Sequence, residues 1–130
     1  MTDCPFCRII RNEAPAEIVR DWPDALAFVP LNPVVKGHTL VIPKAHVPDF
    51  AMSPLVSAVA MRRAAELMQW TPRPMNVITS RGHEATQSVF HLHLHLVPRH
   101  AGDGLALPWT GQRLATTPAA ADGQTSDQSH

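Results

Sequence analysis

The stretch Phe90-His91-Leu92-His93-Leu94-His95-Leu96-Val97-Pro98 decides the fold and the chemistry of this chain. Alternation of hydrophobic residues with a period of two predicts a β-strand over residues 89–97. Side chains on a strand point alternately to its two faces, so the phenylalanine and the leucines face one side and three histidines face the other. Strand faces exposed to water usually carry threonine, lysine or glutamate, so a row of three imidazoles indicates a functional site.

Two kinds of chemistry fit such a row of imidazoles. A His-x-His pair on a strand is a zinc-binding geometry, and a metal-dependent hydrolase would use all three rings on one ion. Three alternate positions on a straight strand span about 13 Å, however, which is too far for one ion with bonds of about 2 Å. The other chemistry is phosphoryl or nucleotidyl transfer, in which one ring attacks phosphorus and its neighbours hold the charged oxygens. We rank the second above the first.

The rest of the chain predicts an α+β protein. Two apolar runs around Asp21–Asp24 indicate a hairpin, because that turn contains a proline and two aspartates. Ser53 followed by Pro54 is typical of a helix start. The predicted elements are a short N-terminal helix at 4–11, a long central helix from 53 to about 70, and about five antiparallel strands at 18–20, 25–29, 39–42, 75–79 and 89–97.

Length and charge limit the organisation and the partners. A chain of 130 residues makes one domain, which we place at residues 1–112. From Ala115 onward the chain contains almost nothing apolar larger than alanine, and we expect a disordered tail at residues 113–130 because it offers little surface to bury. Eleven basic residues balance eleven acidic ones, which argues against a charge-driven binder of nucleic acid or of a membrane surface.

The N-terminus and the apolar runs bear on location. Residues 1–4 contain no basic segment followed by an apolar one, so secretion is unsupported and we expect a cytoplasmic protein. No apolar run approaches the roughly 20 residues of a membrane-spanning helix.

The motifs together resemble a known family. His-Leu-His-Leu-His-Leu-Val at 91–97 resembles the histidine triad signature, His-φ-His-φ-His-φ-φ, where φ is hydrophobic. Three further segments are similar to that family: CPFCRII at 4–10, FVPLNPVVKGHTLVIPKAH at 28–46 and QSV at 87–89. The resemblance covers roughly residues 3–109, and it points to a Hint-like bacterial histidine triad (HIT) protein.

The resemblance implies a nucleotide hydrolase or transferase. The middle histidine of the triad, His93, would attack the α-phosphorus of a purine nucleoside phosphoramidate or a dinucleoside polyphosphate. His95 and His38 would contact phosphate, and Gln87 and Ser88 would lie near the α-phosphate and the leaving group. A neutral imidazole is nucleophilic at physiological pH, which agrees with this assignment. The resemblance further implies a homodimer.

Substrate recognition departs from the family pattern. Many members carry an acidic residue for the ribose hydroxyls where this chain has Pro30, so Asn32 or backbone groups would have to replace it. Ser80 stands where an asparagine commonly contacts the nucleotide, and Leu31 would line the base pocket. These departures keep open an alternative, a non-catalytic nucleotide sensor or scaffold with the same fold.

Cys4-Pro5-Phe6-Cys7 is a second candidate site. A Cys-x-x-Cys pair alone fits a redox motif, two free thiols or half of a zinc site, and zinc needs two more ligands. His46 and His91 have the right chemistry, and the resemblance implies the same four positions in bacterial members. With four protein ligands the zinc would be structural, and His91 would be a ligand and not a catalytic group.

Overall fold

The computed structural model describes residues 4–109 of the chain. The residues up to His100 form one compact unit, and residues 101–109 belong to a second. The predicted domain end at residue 112 and the predicted tail at 113–130 lie outside the described residues and stay predictions.

Within residues 4–109, five strands and two complete α-helices confirm the predicted α+β class. The strands are β1 Glu17–Asp21, β2 Ala25–Val29, β3 Thr39–Pro43, β4 Met75–Ile78 and β5 Leu94–Pro98. The helices are α1 Pro5–Ile10 and α2 Pro54–Met68, and a 3₁₀ turn lies at His83–Ala85. The strands form one sheet in the order β1-β2-β3-β5-β4, and every pairing is antiparallel. Among the helices of residues 4–109, none is long and apolar enough to span a bilayer.

Both helices begin as their sequences predict. The Ser53 hydroxyl accepts a hydrogen bond from the Val56 backbone N–H, and Pro54 occupies the first turn, where its missing N–H costs nothing. At α1 the capping group is a thiol, since Cys4 Sγ accepts from the Cys7 backbone N–H at 3.3 Å. The first cysteine of the pair therefore shapes the helix that carries the second.

The sheet separates two apolar clusters. On one face Ala60 and Ala64 of α2 pack with Val41 and with three leucines, Leu92, Leu94 and Leu96. On the other face Cys4 and Phe6, from the N-terminal segment, pack with Leu26, Phe28, Leu40 and Ile42. The long helix thus covers the leucine side of the triad segment, and the short helix covers its histidine side.

The predicted strand at 89–97 is wrong in its first half. β5 begins at Leu94, and its pairing with β3 extends only to Val41. Two hydrogen bonds explain the early stop. The Leu92 N–H donates to the Val47 carbonyl at 2.8 Å, and His91 Nε2 donates to the Pro43 carbonyl at 2.9 Å. The His91 side chain thus bonds to the Pro43 carbonyl of β3, which lies beyond the last residue pair of β3 and β5.

The predicted alternation of faces persists through most of that segment. Leu92, Leu94 and Leu96 are all buried in the cluster under α2. Phe90 does not follow them, because its side chain is 47% exposed. The two-residue period therefore holds from His91 onward, where the side chains are held by the sheet and by the groups described next.

Candidate active site and metal centre

Cysteine and histidine side chains from three separate segments converge beside α1. Cys7 Sγ lies 3.2 Å from His46 Nδ1 and 3.6 Å from His91 Nδ1. Cys4 Sγ lies 3.5 Å from His91 Nδ1, and the two histidine Nδ1 atoms are 3.1 Å apart. All four ligand atoms lie within 4.8 Å of one another. The structure therefore brings together the four residues that the sequence predicted as one metal site.

The distances match those required for a tetrahedral zinc ion. Zinc bonds of about 2.3 Å to sulfur and about 2.0–2.1 Å to nitrogen place tetrahedral ligands about 3.3–3.8 Å apart. Four of the six distances between donor atoms are 3.1–3.6 Å, close to that range, and all six are within 4.8 Å. Two thiols and two imidazoles are also the donor set that zinc favours over magnesium or calcium.

His91 is prepared for metal binding by its second ring nitrogen. Its Nε2 carries the proton, because the Pro43 carbonyl can only accept, and so Nδ1 presents a lone pair to the cluster. The side chain is fully buried, and burial lowers the pKa of His91 to about 4. The ring is therefore neutral at physiological pH, which is the form that coordinates a metal.

The His93 ring is oriented by the backbone of the same residue that completes the metal group. His93 Nδ1 donates to the His91 carbonyl at 2.8 Å, so its proton is on Nδ1 and Nε2 carries a lone pair. Within residues 4–109 no group bonds to that Nε2, and the atom is not sealed from solvent. Burial lowers the pKa of His93, which keeps the ring neutral and nucleophilic.

His95 and His38 form a hydrogen-bond chain with a defined direction. The Val34 backbone N–H donates to His38 Nδ1 at 3.1 Å, so the proton of His38 is on Nε2. His38 Nε2 then donates to His95 Nδ1 at 3.0 Å, which places the proton of His95 on Nε2. The His95 ring, beside the Nε2 lone pair of His93, thus offers an Nε2–H donor.

A pocket of about 500 Å³ opens in front of His93 and His95. Its walls come from α1, from residues 15–17, from the end of β2 with the loop after it, from β3 and from residues 88–89. Most of these residues are apolar, which suits a flat ring system, while the two imidazoles supply polar groups at one end.

The structure places some predicted site residues in this pocket and others behind it. Leu31, Asn32 and Ser88 line it, together with His93 and His95. His38 is buried and reaches the pocket only through His95. Of the described residues, Ser80 and Gln87 are not part of the lining.

Gln87 holds the loop that precedes the triad. Its Oε1 accepts from the Gly82 N–H at 2.8 Å, and its Nε2 donates to the carbonyls of Pro48 and Val89 at 2.6 and 3.0 Å. The side chain is buried and satisfied by the protein. Its predicted contact with the leaving group stays a prediction, and the geometry favours a role in shaping the loop.

Two residues near His93 escaped the sequence analysis. The Phe6 ring lies 5.1 Å from the His93 ring, centroid to centroid, with the planes at 86°. The Thr79 hydroxyl donates to the His93 carbonyl at 2.8 Å. Phe6 had one available signal, its place between two predicted ligands, whereas Thr79 is located only by the pairing of β4 with β5.

The titration of His95 predicts a pH-dependent stability. Burial, with His93 and His38 alongside, lowers the pKa of His95 to about 4, while an unfolded histidine titrates near about 6.5. Between these two pH values His95 is protonated in the unfolded chain and neutral in the folded one. The free energy of unfolding therefore falls as the pH drops from about 6.5 towards 4. Above about 6.5 the ring is neutral in both states and contributes no pH dependence.

Urea unfolding at pH 7 and pH 5 measures this effect. We expect a lower midpoint at pH 5, and a smaller drop in His95→Asn, which has no titrating ring at this position. An equal drop in both proteins would show that His95 has no part in it.

Comparison with known proteins agrees with this geometry. A family model described as the HIT domain matches residues 11–102. A relative from Bacillus subtilis named Protein hit is 37% identical over 114 residues, which cover 82% of this chain and 79% of the relative. The Arabidopsis thaliana protein named Adenylylsulfatase HINT3 is 32% identical over 118 residues, covering 86% of this chain and 58% of that protein.

A solved structure shows the same fold with zinc. The crystal structure of a zinc-bound histidine triad family protein from Mycobacterium smegmatis superposes with a TM-score of 0.70 at 34% sequence identity. The match covers 79% of each chain. Together with the triad His91, His93 and His95, the Cys₂His₂ group and the five-stranded sheet, these matches show that the chain belongs to the HIT domain family.

Proposed function

We propose that this protein is a nucleotidyl hydrolase or transferase that acts on the α-phosphorus of a nucleotide derivative and forms a nucleotidyl-histidine at His93. The observation that carries the proposal is the state of that ring, with Nδ1–H held by the His91 carbonyl and the Nε2 lone pair open to a pocket. The substrate classes are purine nucleoside phosphoramidates and dinucleoside polyphosphates.

In the first step the Nε2 lone pair of His93 attacks the α-phosphorus. The bond from phosphorus to the leaving amine or phosphate breaks, its electron pair goes to the leaving group, and an amine takes up a proton from solvent water as it departs. The ring gains positive charge as the new bond forms, and the carbonyl of His91 stabilises that charge through the Nδ1–H bond.

In the second step a water oxygen attacks the same phosphorus. The bond to Nε2 breaks, the ring recovers its lone pair, the water gives up a proton, and a nucleoside monophosphate leaves. An acceptor other than water at this step makes the protein a transferase. Both steps use the same side of the His93 ring, so the leaving group has to depart before the acceptor can enter the pocket.

The neighbouring groups stabilise negative charge on the non-bridging oxygens. His95 Nε2–H offers a donor on the pocket side, and His38 holds the opposite nitrogen of that ring at 3.0 Å. Ser88 and Asn32 line the same pocket and can hydrogen-bond to phosphate or sugar, while Leu31 can contact the base. His38, Gln87 and Ser80 would act behind these contacts.

We assign zinc a structural role at Cys4, Cys7, His46 and His91, whose donor atoms fit a tetrahedral ion. When bound, the metal would supply four fixed bonds that tie α1 to residue 91, and no reaction step passes through it. His91 would thereby hold a metal with its ring and the nucleophile with its carbonyl.

The relatives support the class of reaction. The Arabidopsis relative is named an adenylylsulfatase, and adenylyl sulfate carries a nucleotidyl group on a different leaving group. A non-catalytic nucleotide sensor is the second candidate, and it is favoured by Pro30, which lines the pocket and has no side-chain acceptor for ribose hydroxyls. The homodimer and the cytoplasmic location stay predictions.

Mass spectrometry of an acid-sensitive adduct separates the two candidates. The protein is mixed with an adenosine phosphoramidate, denatured rapidly at alkaline pH and digested. We expect the mass of one adenylyl group on the peptide that contains His93, and the adduct should be missing in His93→Ala. An adduct on another residue would contradict the mechanism, and tight binding without any adduct or turnover would favour the sensor.

A further inference from the structure

Phe6 joins the metal group to the nucleophile. It stands between Cys4 and Cys7 in the sequence, and its side chain is only 9% exposed. Its ring meets three others at steep angles, His93 at 5.1 Å, Phe28 at 5.5 Å and His91 at 5.9 Å between centroids. Among the ring contacts of residues 4–109, Phe6 alone touches both His91 and His93.

One hydrogen bond does not fix the direction of an imidazole ring. With only Nδ1 bonded to the His91 carbonyl, the His93 ring can still tilt about that bond, and its Nε2 lone pair would sweep across the pocket. Ring contacts have to limit the tilt. One comes from His95, whose ring lies 5.1 Å from the His93 ring, centroid to centroid, with the planes at 66°, and the other comes from Phe6. The Phe6 ring stands at 86° to His93, close enough for van der Waals contact, and it belongs to the pocket wall.

The position of Phe6 depends on the two cysteines around it. α1 has only six residues, and a helix of that length has little stability of its own in water. Cys4 caps the helix and Cys7 lies within its first turn, so a metal bound by both would fix the backbone on each side of Phe6. The metal group would then set the place of the phenyl ring.

We propose that Phe6 is a positioning residue, which holds the His93 imidazole in the orientation for attack and transmits to it the order imposed by the metal group. The proposal rests on the nucleophilic role proposed for His93. Phe6 touches the ring and takes no part in bond making, so its loss should lower kcat more than it raises KM. Misplacement of a reacting group by about 1 Å costs on the order of 10²-fold in rate.

The test compares three variants of the zinc-loaded protein. Phe6→Leu keeps an apolar side chain and removes the ring, while Phe6→Tyr keeps the ring. Ile10→Ala is the matched control, because Ile10 packs in the same cluster from the same segment without lining the pocket. We expect kcat to fall about 10- to 100-fold in Phe6→Leu with KM within about threefold. Ile10→Ala should keep kcat within about threefold, and Phe6→Tyr should lose less kcat than Phe6→Leu because it keeps the ring.

A second readout needs no turnover. In ¹⁵N-labelled protein without substrate, the His93 Nδ1–H signal should be protected from exchange in the wild type and in Phe6→Tyr. In Phe6→Leu it should exchange faster, and nuclear Overhauser contacts from its ring to neighbouring side chains should change. If kcat and the His93 signals of Phe6→Leu match the wild type, the proposal fails. A fall in kcat with unchanged His93 signals also refutes it.

The same experiment separates this inference from the proposed function. If His93→Ala retains more than a hundredth of the wild-type kcat, the proposed function fails, and the NMR comparison alone decides whether Phe6 orients the ring. If Phe6→Leu loses zinc or unfolds, Phe6→Met, closer in size to the native side chain, replaces it with the same expected results.

Discussion

His93→Ala is expected to lower kcat by about 10⁴-fold or more, the largest effect of any single substitution in the pocket. Alanine has no nucleophile, so the covalent step cannot form and only direct attack of water on a bound substrate remains. Neighbouring donors and the binding pocket persist, and they give a residual rate above that of the uncatalysed reaction. KM should change little, because binding relies on the rest of the wall.

A fluorogenic adenosine phosphoramidate measures this loss under steady-state conditions. His83→Ala is the matched control, since His83 is an exposed histidine on the 3₁₀ turn and is not part of the pocket lining. The control should keep kcat within about twofold. Retention of more than a hundredth of the wild-type kcat in His93→Ala would contradict the nucleophilic role.

Removal of zinc is expected to lower Tm by more than about 10 °C. Structural zinc contributes about 10–16 kcal/mol to zinc-finger peptides, which have almost no other core. This chain has two apolar clusters of its own, so a smaller contribution is expected. A loss of about 3 kcal/mol is sufficient, because each kcal/mol shifts Tm by roughly 4–8 °C in a domain of up to about 100 residues.

Calorimetry before and after chelation, with metal analysis, checks this expectation. The purified protein should hold about one zinc per chain, and restoring zinc should restore Tm. Cys7→Ser should behave like the chelated protein, while His83→Ala should retain both zinc and Tm. An unchanged Tm in fully chelated protein would contradict a structural metal.

Residue pattern and spacing predicted much of this architecture. The prolines and polar caps mark the helix starts, and the alternation from His91 to Leu96 follows from the geometry of an extended chain. The Cys₂His₂ group could be predicted from ligand chemistry and from the family resemblance. The structure then brought its four residues together from positions up to 87 apart in sequence, as for Cys4 and His91.

Hydrogen-bond partners account for what could not be predicted. Hydrophobic periodicity does not reveal that His91 donates to the Pro43 carbonyl, and this bond lies where the ladder of β5 stops short. Gln87 is polar and adjoins the triad, so the sequence suggests a ligand contact. Its amide nitrogen instead donates to the backbone carbonyls of Pro48 and Val89. Phe6 is an ordinary apolar residue until the sheet places His93 against it.

The direction of the Val34–His38–His95 chain has a consequence for what the pocket accepts. A backbone N–H cannot reverse its role, so both rings keep one tautomer while they are neutral, and His95 can only donate towards a ligand. An anionic oxygen meets a partner there, whereas an amino group meets a second donor. Discrimination between isosteric ligands that exchange an oxygen for an amine at this point is therefore set by a peptide group in the loop before β3, which acts on His95 through the His38 ring.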